Sequence, residues 1–507
     1  MKFILILMSL FLITNSSICI AKEKECYSDL SEVMSCFVNY EDAAYNYKIS
    51  DMVEKNNYII RTYILESQKW PIYPNEHIPT TIWKHKLVIY TPKEIEFTKA
   101  LFYVSGGYSS SVEGKEEFFP SKESLDFVNI ALNNKAPVIV LEDVPNQFLF
   151  IDSLPKKEDQ ILAYTYKMVM QDPMENAYLA GHLPMVKSIV KAMDAVEDIF
   201  SKDGVPLKEF VLVGASKRGW AAWLAAIEDS RVSALIPVVI DILNVGKNIN
   251  HICNSYIDHC PPALRDYKNE NVLDDLYSAK FKDLMKIDDP FSYVDIAKYS
   301  KQFSIPKYII NTSGDDFYAP DSSKFYFSSL KGENYIRYLP NAMHYLAGNP
   351  ISNYLNNMKH LNEAVNNFFY FHINNVSLPD IKWKFSANEL IIDSSLVPIK
   401  VKLWTANNLQ ERDFRFLNSY SKIHLGLKTA WIYLEKYMPF SLDICDTCYK
   451  EQLIDYDCAH QDSFHIDIRL PKDNDGWQAS FAELFYNIEG REFIVTTEVN
   501  ISPDTYP

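Results

Sequence analysis

The stretch Phe210-Val-Leu-Val-Gly-Ala-Ser-Lys-Arg-Gly-Trp220 limits what this chain can fold into more than any other part of it. A Val-rich apolar run reads as a buried strand. It ends in Gly-x-Ser, and an Ala/Trp/Leu-rich helical pattern begins with no spacer between them. A serine at such a strand-to-helix bend carries its hydroxyl above the edge of a sheet. The N–H groups that follow sit at a helix N-terminus, where developing negative charge is stabilised. Ser216 is therefore the candidate nucleophile.

Serine needs a base to take its proton and an acid to orient that base. Two late strand-and-loop units supply both. The strand Tyr308–Asn311 runs into a loop bearing Asp315 and Asp316, and the strand Tyr335–Tyr338 leads to His344. The chain order Ser, acid, His is that of the α/β-hydrolase fold. Asp315 lies 99 residues beyond Ser216, and His344 lies 29 beyond Asp315. Asp316 is the alternative acid, Asp241 at the end of an earlier strand is a third candidate, and Asp321 reads as the cap of a following helix. The oxyanion hole calls for two N–H donors, one of them on the residue after the nucleophile. Lys217 would give the first, and Gly106, within the turn Ser105-Gly-Gly107, the second. The motif departs from Gly-x-Ser-x-Gly, because Arg218 stands where a small residue is usual. That cation would attract a substrate carboxylate or steady the acid loop; alternatively, Lys217 and Arg218 form a solvated pair of charges.

Between about residues 83 and 372, short apolar runs alternate with helical patterns. The runs are Leu87–Tyr90, Ala100–Val104, Pro137–Leu141, Phe210–Val213, Leu235–Ile240, Tyr308–Asn311 and Tyr335–Tyr338; the helical patterns include Asp159–Asp172, Pro184–Phe200 and Gly219–Glu228. Near-continuous apolar strands separated by helices predict a mainly parallel, doubly wound α/β sheet covered on both faces. After Val376-Ser-Leu-Pro-Asp380 the pattern changes to alternating strands over Pro398–Trp404, Lys428–Leu434, Ser463–Arg469 and Phe493–Val499, the mark of a small β-sandwich. The expected organisation is a signal peptide over 1–21, an α/β-hydrolase-like domain with an N-terminal extension over 22–378, and a C-terminal β-sandwich domain over 379–507. The segment from Cys26 to Lys55 reads as a cover preceding the first sheet strands.

The chain has 507 residues, 48% of them hydrophobic and 14% aromatic, which fits packed globular structure of two domains. Its net charge of −16 argues against nucleic acid as a partner. Met1-Lys2, an apolar run over Phe3–Ile13 and small residues at Cys19 and Ala21 describe a secretory signal cleaved after Ala21. No later run is long enough to span a bilayer, so the expected mature form is secreted and soluble. Loss of Cys19 leaves seven cysteines in an oxidising compartment. Cys26–Cys36 and Cys253–Cys260 are the candidate disulfides, with Cys445, Cys448 and Cys458 a third cluster. Those three with His460 also have the spacing of a zinc knuckle, the weaker reading in a secreted chain. Asn375 and Asn500 head N-glycosylation sequons; Asn311 does so at the end of a core strand and is not expected to be modified. Trp404, Trp431 and Trp477 are candidates for sugar stacking, against their commoner role as sandwich core. The pattern calls for neither a cofactor nor a catalytic metal.

Several segments together resemble the PhoPQ-activated pathogenicity-related family. They are Val-Pro-Asn-Gln147, Leu-Pro-Met-Val-Lys187, Gly-Ala-Ser-Lys-Arg-Gly-Trp220 and Val-Ile-Asp-Ile-Leu-Asn244, followed by Gly-Asp315-Asp-Phe-Tyr-Ala-Pro-Asp-Ser-Ser323, Lys-Gly-Glu-Asn-Tyr-Ile-Arg-Tyr-Leu-Pro-Asn-Ala-Met-His344 and Asn-Leu-Gln-Glu-Arg-Asp-Phe-Arg415. The resemblance implies an α/β-hydrolase domain followed by a β-sandwich and favours Asp315 as the acid. It includes secreted autocrine proliferation repressors and a distant likeness to serine peptidases of the dipeptidyl-peptidase kind. The cysteine-rich start differs from the usual family opening.

Two functions follow as expectations. One is a secreted serine hydrolase acting on peptides or esters through an acyl-enzyme, with a glucuronoyl-type esterase as a variant. The other is a non-catalytic extracellular signal that represses proliferation through a cell-surface receptor.

Overall fold

Along the strand Glu209–Ala215, Phe210 and Leu212 enter one hydrophobic core while Val211 and Val213 enter another. Successive side chains of a strand point to opposite faces, so this strand lies inside a sheet covered on both sides. The computed structural model describes residues 29–112, 115–120, 125–257, 260–346, 354–386, 388–415, 447–456, 463–471 and 476–507. The expected signal segment, Cys26, Cys445, Cys458, His460, Trp431 and the strand expected over Lys428–Leu434 lie outside these residues.

Nine strands build the main sheet: β1 (Asn46–Glu54), β2 (Tyr58–Trp70), β3 (Thr81–Pro92), β4 (Lys99–Val104), β5 (Val138–Glu142), β6 (Glu209–Ala215), β7 (Val232–Val238), β8 (Lys307–Thr312) and β9 (Asn334–Leu339). Their spatial order is β1-β2-β3-β5-β4-β6-β7-β8-β9. The first three and the β3–β5 pair are antiparallel, and everything from β5 to β9 is parallel. The sheet thus begins earlier than the sequence reading allowed. Part of the segment read as a cover is the edge strand β1, preceded by the short helix α1 (Val33–Asn39), whose Met34 and Phe37 are fully buried.

Further helices flank the sheet: α2 (Phe127–Asn134), α3 (Asp159–Gln171), α4 (His182–Lys202), α5 (Lys217–Glu228), α6 (Val245–Ser255), α7 (Ala279–Asp288) and α8 (Tyr354–Ile373). One core takes Leu162 of α3, Ile189 of α4 and Trp223 of α5. The other takes Ile130 of α2 and Phe368 of α8. The loops after β4, β6, β8 and β9 all leave the carboxyl ends of parallel strands, so Gly106, Ser216, Asp315 and His344 gather along one edge, where open α/β sheets place their sites. The strand expected to reach Ile240 stops at Val238, because Val239 turns the chain with φ 45°.

Beyond α8 come β10 (Ile381–Phe385), β11 (Glu389–Ser394), β12 (Lys400–Asn408), β13 (Lys450–Ile454), β14 (Phe464–Arg469), β15 (Trp477–Ile488), β16 (Arg491–Thr496) and β17 (Asn500–Ser502). They form two antiparallel sheets, β10-β11-β14 and β13-β12-β15-β16, with β17 on β15. Leu390 and Ile392 of the first sheet share a core with Val401, Leu403 and Leu484 of the second, as in a sandwich. That core is continuous with the lower face of the main sheet: Tyr308 donates its hydroxyl to Ile494 O at 2.5 Å, and Tyr338 N donates to Thr496 Oγ1 at 3.1 Å.

Cys253 and Cys260 form a disulfide at the end of α6. Cys36 and Cys448 are also disulfide-bonded, which leaves Cys448 no thiolate to offer a zinc ion. Asn375 is exposed after α8, Asn500 is half-buried in β17, and Asn311 is buried in β8. Trp404 donates to Glu483 and Trp477 to Thr505 O, and both rings are partly buried against the core.

Candidate active site

Ser216 sits between β6 and α5 with φ 56° and ψ −131°, a conformation costly for a non-glycine residue and held by the crossing of strand and helix. Its N–H donates to Val238 O at 2.8 Å. The crossing explains the irregular motif. A Cβ on Gly214 would come within 2.5 Å of Arg218 O, and one on Gly219 within 2.7 Å of Gly214 O. The close approach therefore falls on residues 214 and 219, and position 218 is free to carry a long side chain pointing away.

His344 Nε2 lies 2.9 Å from Ser216 Oγ, and His344 Nδ1 lies 3.0 Å from Asp315 Oδ2. Asp315 is held in turn by the N–H groups of Phe317 and Tyr318 and by Thr312 Oγ1. Phe317 packs against the imidazole with ring centroids 4.3 Å apart. Asp316 accepts the backbone N–H of His344 at 3.2 Å and does not reach the ring nitrogens. Asp241 goes elsewhere: it accepts hydrogen bonds from the Tyr326 and Tyr338 hydroxyls, and burial pushes its carboxyl up to about 8. Burial opposes charge on His344, but the adjacent Asp315 charge and its hydrogen bond outweigh this and raise the imidazole above its ordinary value. Asp316 is raised as well, first by burial and then by the charge of Asp315.

Lys217 and Arg218 are not a solvated pair of charges: both side chains are largely buried, and they border the cavity beside Ser216. Both turn into the protein to meet the start of α3. Lys217 Nζ pairs with Glu158 Oε2 at 2.8 Å and Asp159 Oδ2 at 3.1 Å; Arg218 Nη2 pairs with Glu158 Oε1 at 2.6 Å, and its Nε donates to Val144 O at 2.5 Å. Burial alone would raise the Glu158 carboxyl, yet the two cations hold it well below the usual carboxylate range. Gln147 joins the cluster through reciprocal bonds with Glu158, both 2.9 Å long. The sequence reading missed Glu158 and Asp159, which carry no local signal beyond opening a helix.

The loop after β4 is tied to the loop after β5: Asp143 N donates to Gly106 O and Val144 N to Ser105 O. Ser105, Gly106 and Gly107 line a cavity of about 330 Å³ together with Ser216, Lys217 and His344. Ser216 is half-buried and also borders a second, smaller cavity of about 40 Å³. Asp321, read as a helix cap, caps nothing with its side chain; it is buried in an ion pair with Arg412 and a hydrogen bond with His251.

The sheet order, the serine at its strained bend and the imidazole reaching that serine define an α/β-hydrolase-fold protein. The chain belongs to the PhoPQ-activated pathogenicity-related protein family, whose profile matches residues 34–415. It is 30% identical over 504 residues to autocrine proliferation repressor protein A of Dictyostelium discoideum, covering 95% of this chain and 92% of that protein. Among solved structures, it is similar to an acetyl xylan esterase from Paenibacillus sp. R4 with a TM-score of 0.40 and 15% identity over 66% of this chain and 92% of that one. It is also similar to an acylaminoacyl peptidase from Pyrococcus horikoshii, with a TM-score of 0.36 and 12% identity over 66% and 51% of the respective chains.

Proposed function

We propose that this protein is a secreted serine hydrolase that cleaves esters or peptides through an acyl-enzyme, released from a signal peptide after Ala21. The observation that supports it most is the continuous chain Ser216 Oγ, His344 Nε2, His344 Nδ1, Asp315, with links of 2.9 and 3.0 Å beside an open cavity. In this reading Ser216 Oγ attacks the substrate carbonyl carbon while His344 Nε2 takes the hydroxyl proton. The carbon–leaving-group bond then breaks, and the same proton passes from His344 to the departing oxygen or nitrogen. Water attacks the acyl ester, gives its proton to His344, and Ser216 leaves as the restored hydroxyl. Asp315 holds the ring tautomer and faces the imidazolium that forms. The N–H groups of Lys217 and Gly106 serve the oxyanion.

The paired charges narrow the substrate. Lys217 and Arg218 are neutralised by Glu158 and Asp159, which disfavours a uronate carboxylate as the anchoring group. The same pairing leaves those two carboxylates no spare charge for a peptide ammonium. A fluorophosphonate probe should label the wild-type protein and not Ser216→Ala; absence of labelling in folded wild-type protein defeats the reading. N-terminal sequencing of protein recovered from culture medium, expected to begin at Lys22, tests the secretion.

The similarity over 95% of the chain to a protein named as an autocrine proliferation repressor supports a second reading, an extracellular signal that restrains growth through a cell-surface receptor. Purified Ser216→Ala separates the two. Undiminished repression of cultured cells would place the biological output in binding, and loss of repression would place it in hydrolysis.

A further inference from the structure

The two cavities that meet at Ser216 are unequal, and His344 tells them apart. The larger, about 330 Å³, is lined by His344, Gly106 and Gly107. The smaller, about 40 Å³, shares Ser216 with it, but His344 is not among its walls. When a carbonyl carbon is bonded to Ser216 Oγ, its two substituents must leave in different directions. The leaving group has to receive its proton from His344 Nε2, so it belongs in the larger cavity. The acyl substituent is left with the smaller one.

We propose that the small cavity is an acyl-binding pocket that selects short, uncharged, apolar acyl groups; this rests on the hydrolase reading given above. Its walls include Trp220, Ile240, Ile242, Val245, Ile249 and Phe281. On a measure where one water needs roughly 10–15 Å³, the space holds about three water-sized groups, or acyl chains of about two to four carbons. The walls are fastened. Trp220 Nε1 donates to Asp288 O at 2.6 Å and its ring stacks on His182 at 4.8 Å. Helix α6, which carries Val245 and Ile249, is tied at its start by Asp289 accepting from Val245 N at 2.8 Å and at its end by the Cys253–Cys260 disulfide. Several polar groups on the lining are engaged: Asp159 with Lys217 and the Tyr267 hydroxyl, and the Tyr166 hydroxyl with Asp288. A charged acyl substituent would be desolvated there without a partner.

The test uses the full secreted chain and p-nitrophenyl acetate, butyrate and octanoate, which share one leaving group. Acetate and butyrate should react with kcat/KM values within about tenfold of each other and octanoate at least about a hundredfold more slowly, the scale on which a closed apolar pocket discriminates methylenes. Ile249→Ala should raise the octanoate-to-acetate ratio by about tenfold or more, and the filling change Ile242→Phe should lower the butyrate-to-acetate ratio by a similar factor. If Ser216 takes the fluorophosphonate but wild-type protein prefers octanoate, or both variants leave the ratios unmoved, the acyl pocket is overturned while the hydrolase stands. If Ser216 is never labelled, both fall together.

Discussion

The guanidinium of Arg218 lies against the backbone of Gly106, so close that a Cβ on residue 106 would stand 2.6 Å from Nη2. The same side chain holds Val144 O and Glu158, and Val144 N holds Ser105 O. The arginine in the irregular motif therefore braces the turn proposed to supply an oxyanion donor. Gly106→Ala should push the guanidinium aside and lower kcat/KM by about a hundredfold, the order expected when a catalytic donor shifts by roughly an ångström. In an Arg218→Ala background the same change should cost less than about threefold, because the group it displaces is gone. Equal losses in both backgrounds would mean that the two residues act independently.

The neighbouring carboxylates Asp315 and Asp316 should behave unlike one another. Asp315 meets the imidazole Nδ1, whereas Asp316 accepts only the His344 backbone N–H. Asp315→Asn should lower kcat on the order of 10⁴-fold with KM little changed, as when a triad loses the acid that fixes its tautomer. Asp316→Asn should cost less than about tenfold, the scale of one backbone hydrogen bond. Steady-state kinetics on p-nitrophenyl acetate, with circular dichroism to verify folding, would decide. A larger loss in Asp316→Asn than in Asp315→Asn would reverse the assignment.

The strands that carry Ser216, Asp315 and His344 were legible in the sequence because each is a near-continuous apolar run ending in a polar loop, and central parallel strands impose that pattern. What escaped was set by distance or by the surface. Lys217 finds Glu158 and Asp159 across nearly sixty residues of chain, a pairing that only the assembled sheet dictates. Strand β1 is an edge strand, exposed along most of its length, so its Asn46-Tyr-Lys-Ile-Ser-Asp sequence shows no buried face. The early end of β7 depends on a positive φ at Val239, which a β-branched residue rarely adopts. Asp321 looked like a cap because its sequence neighbourhood is that of a cap, while Arg412 lies 91 residues away.

The pH profile should carry the imprint of Asp315. In the proposed mechanism His344 accepts the serine proton only when neutral, so kcat/KM should rise with pH through the His344 pKa. That pKa is raised: burial works against the charged ring, but Asp315 outweighs it. The inflection should therefore lie above about 6.5, the ordinary value for histidine. Residual activity of Asp315→Asn should inflect at lower pH, because burial then acts with less opposition. Stability runs the other way. A histidine whose pKa is raised by folding adds stability that is fully present below its unfolded pKa and is lost as pH climbs through the folded one. An inflection in Asp315→Asn unchanged from wild type would separate the titrating group from His344.

Arg412 and Asp321 fasten the C-terminal sheets to the loop that bears the candidate acid. Their side chains are 0% and 2% exposed and meet at 2.5 Å; His251 and Lys324 also reach the Asp321 carboxylate, each at 2.9 Å. Burial alone would raise the Asp321 carboxyl, yet His251 and Arg412 hold it far below the usual range. Arg412→Met removes a fully buried cation and should destabilise the protein by about 3 kcal/mol near neutral pH, as when one member of a buried pair is deleted. The double change Asp321→Asn with Arg412→Met should recover part of that loss, because no charge is then left behind. A carboxyl depressed by folding gives stability that is present above its unfolded pKa and disappears as pH falls through the folded value. The deficit of Arg412→Met should accordingly narrow on acidification toward about pH 4, where the orphaned carboxyl takes up a proton. Urea midpoints at the two pH values measure both effects. A single variant as stable as wild type at neutral pH would show that Lys324 and His251 suffice to hold the charge.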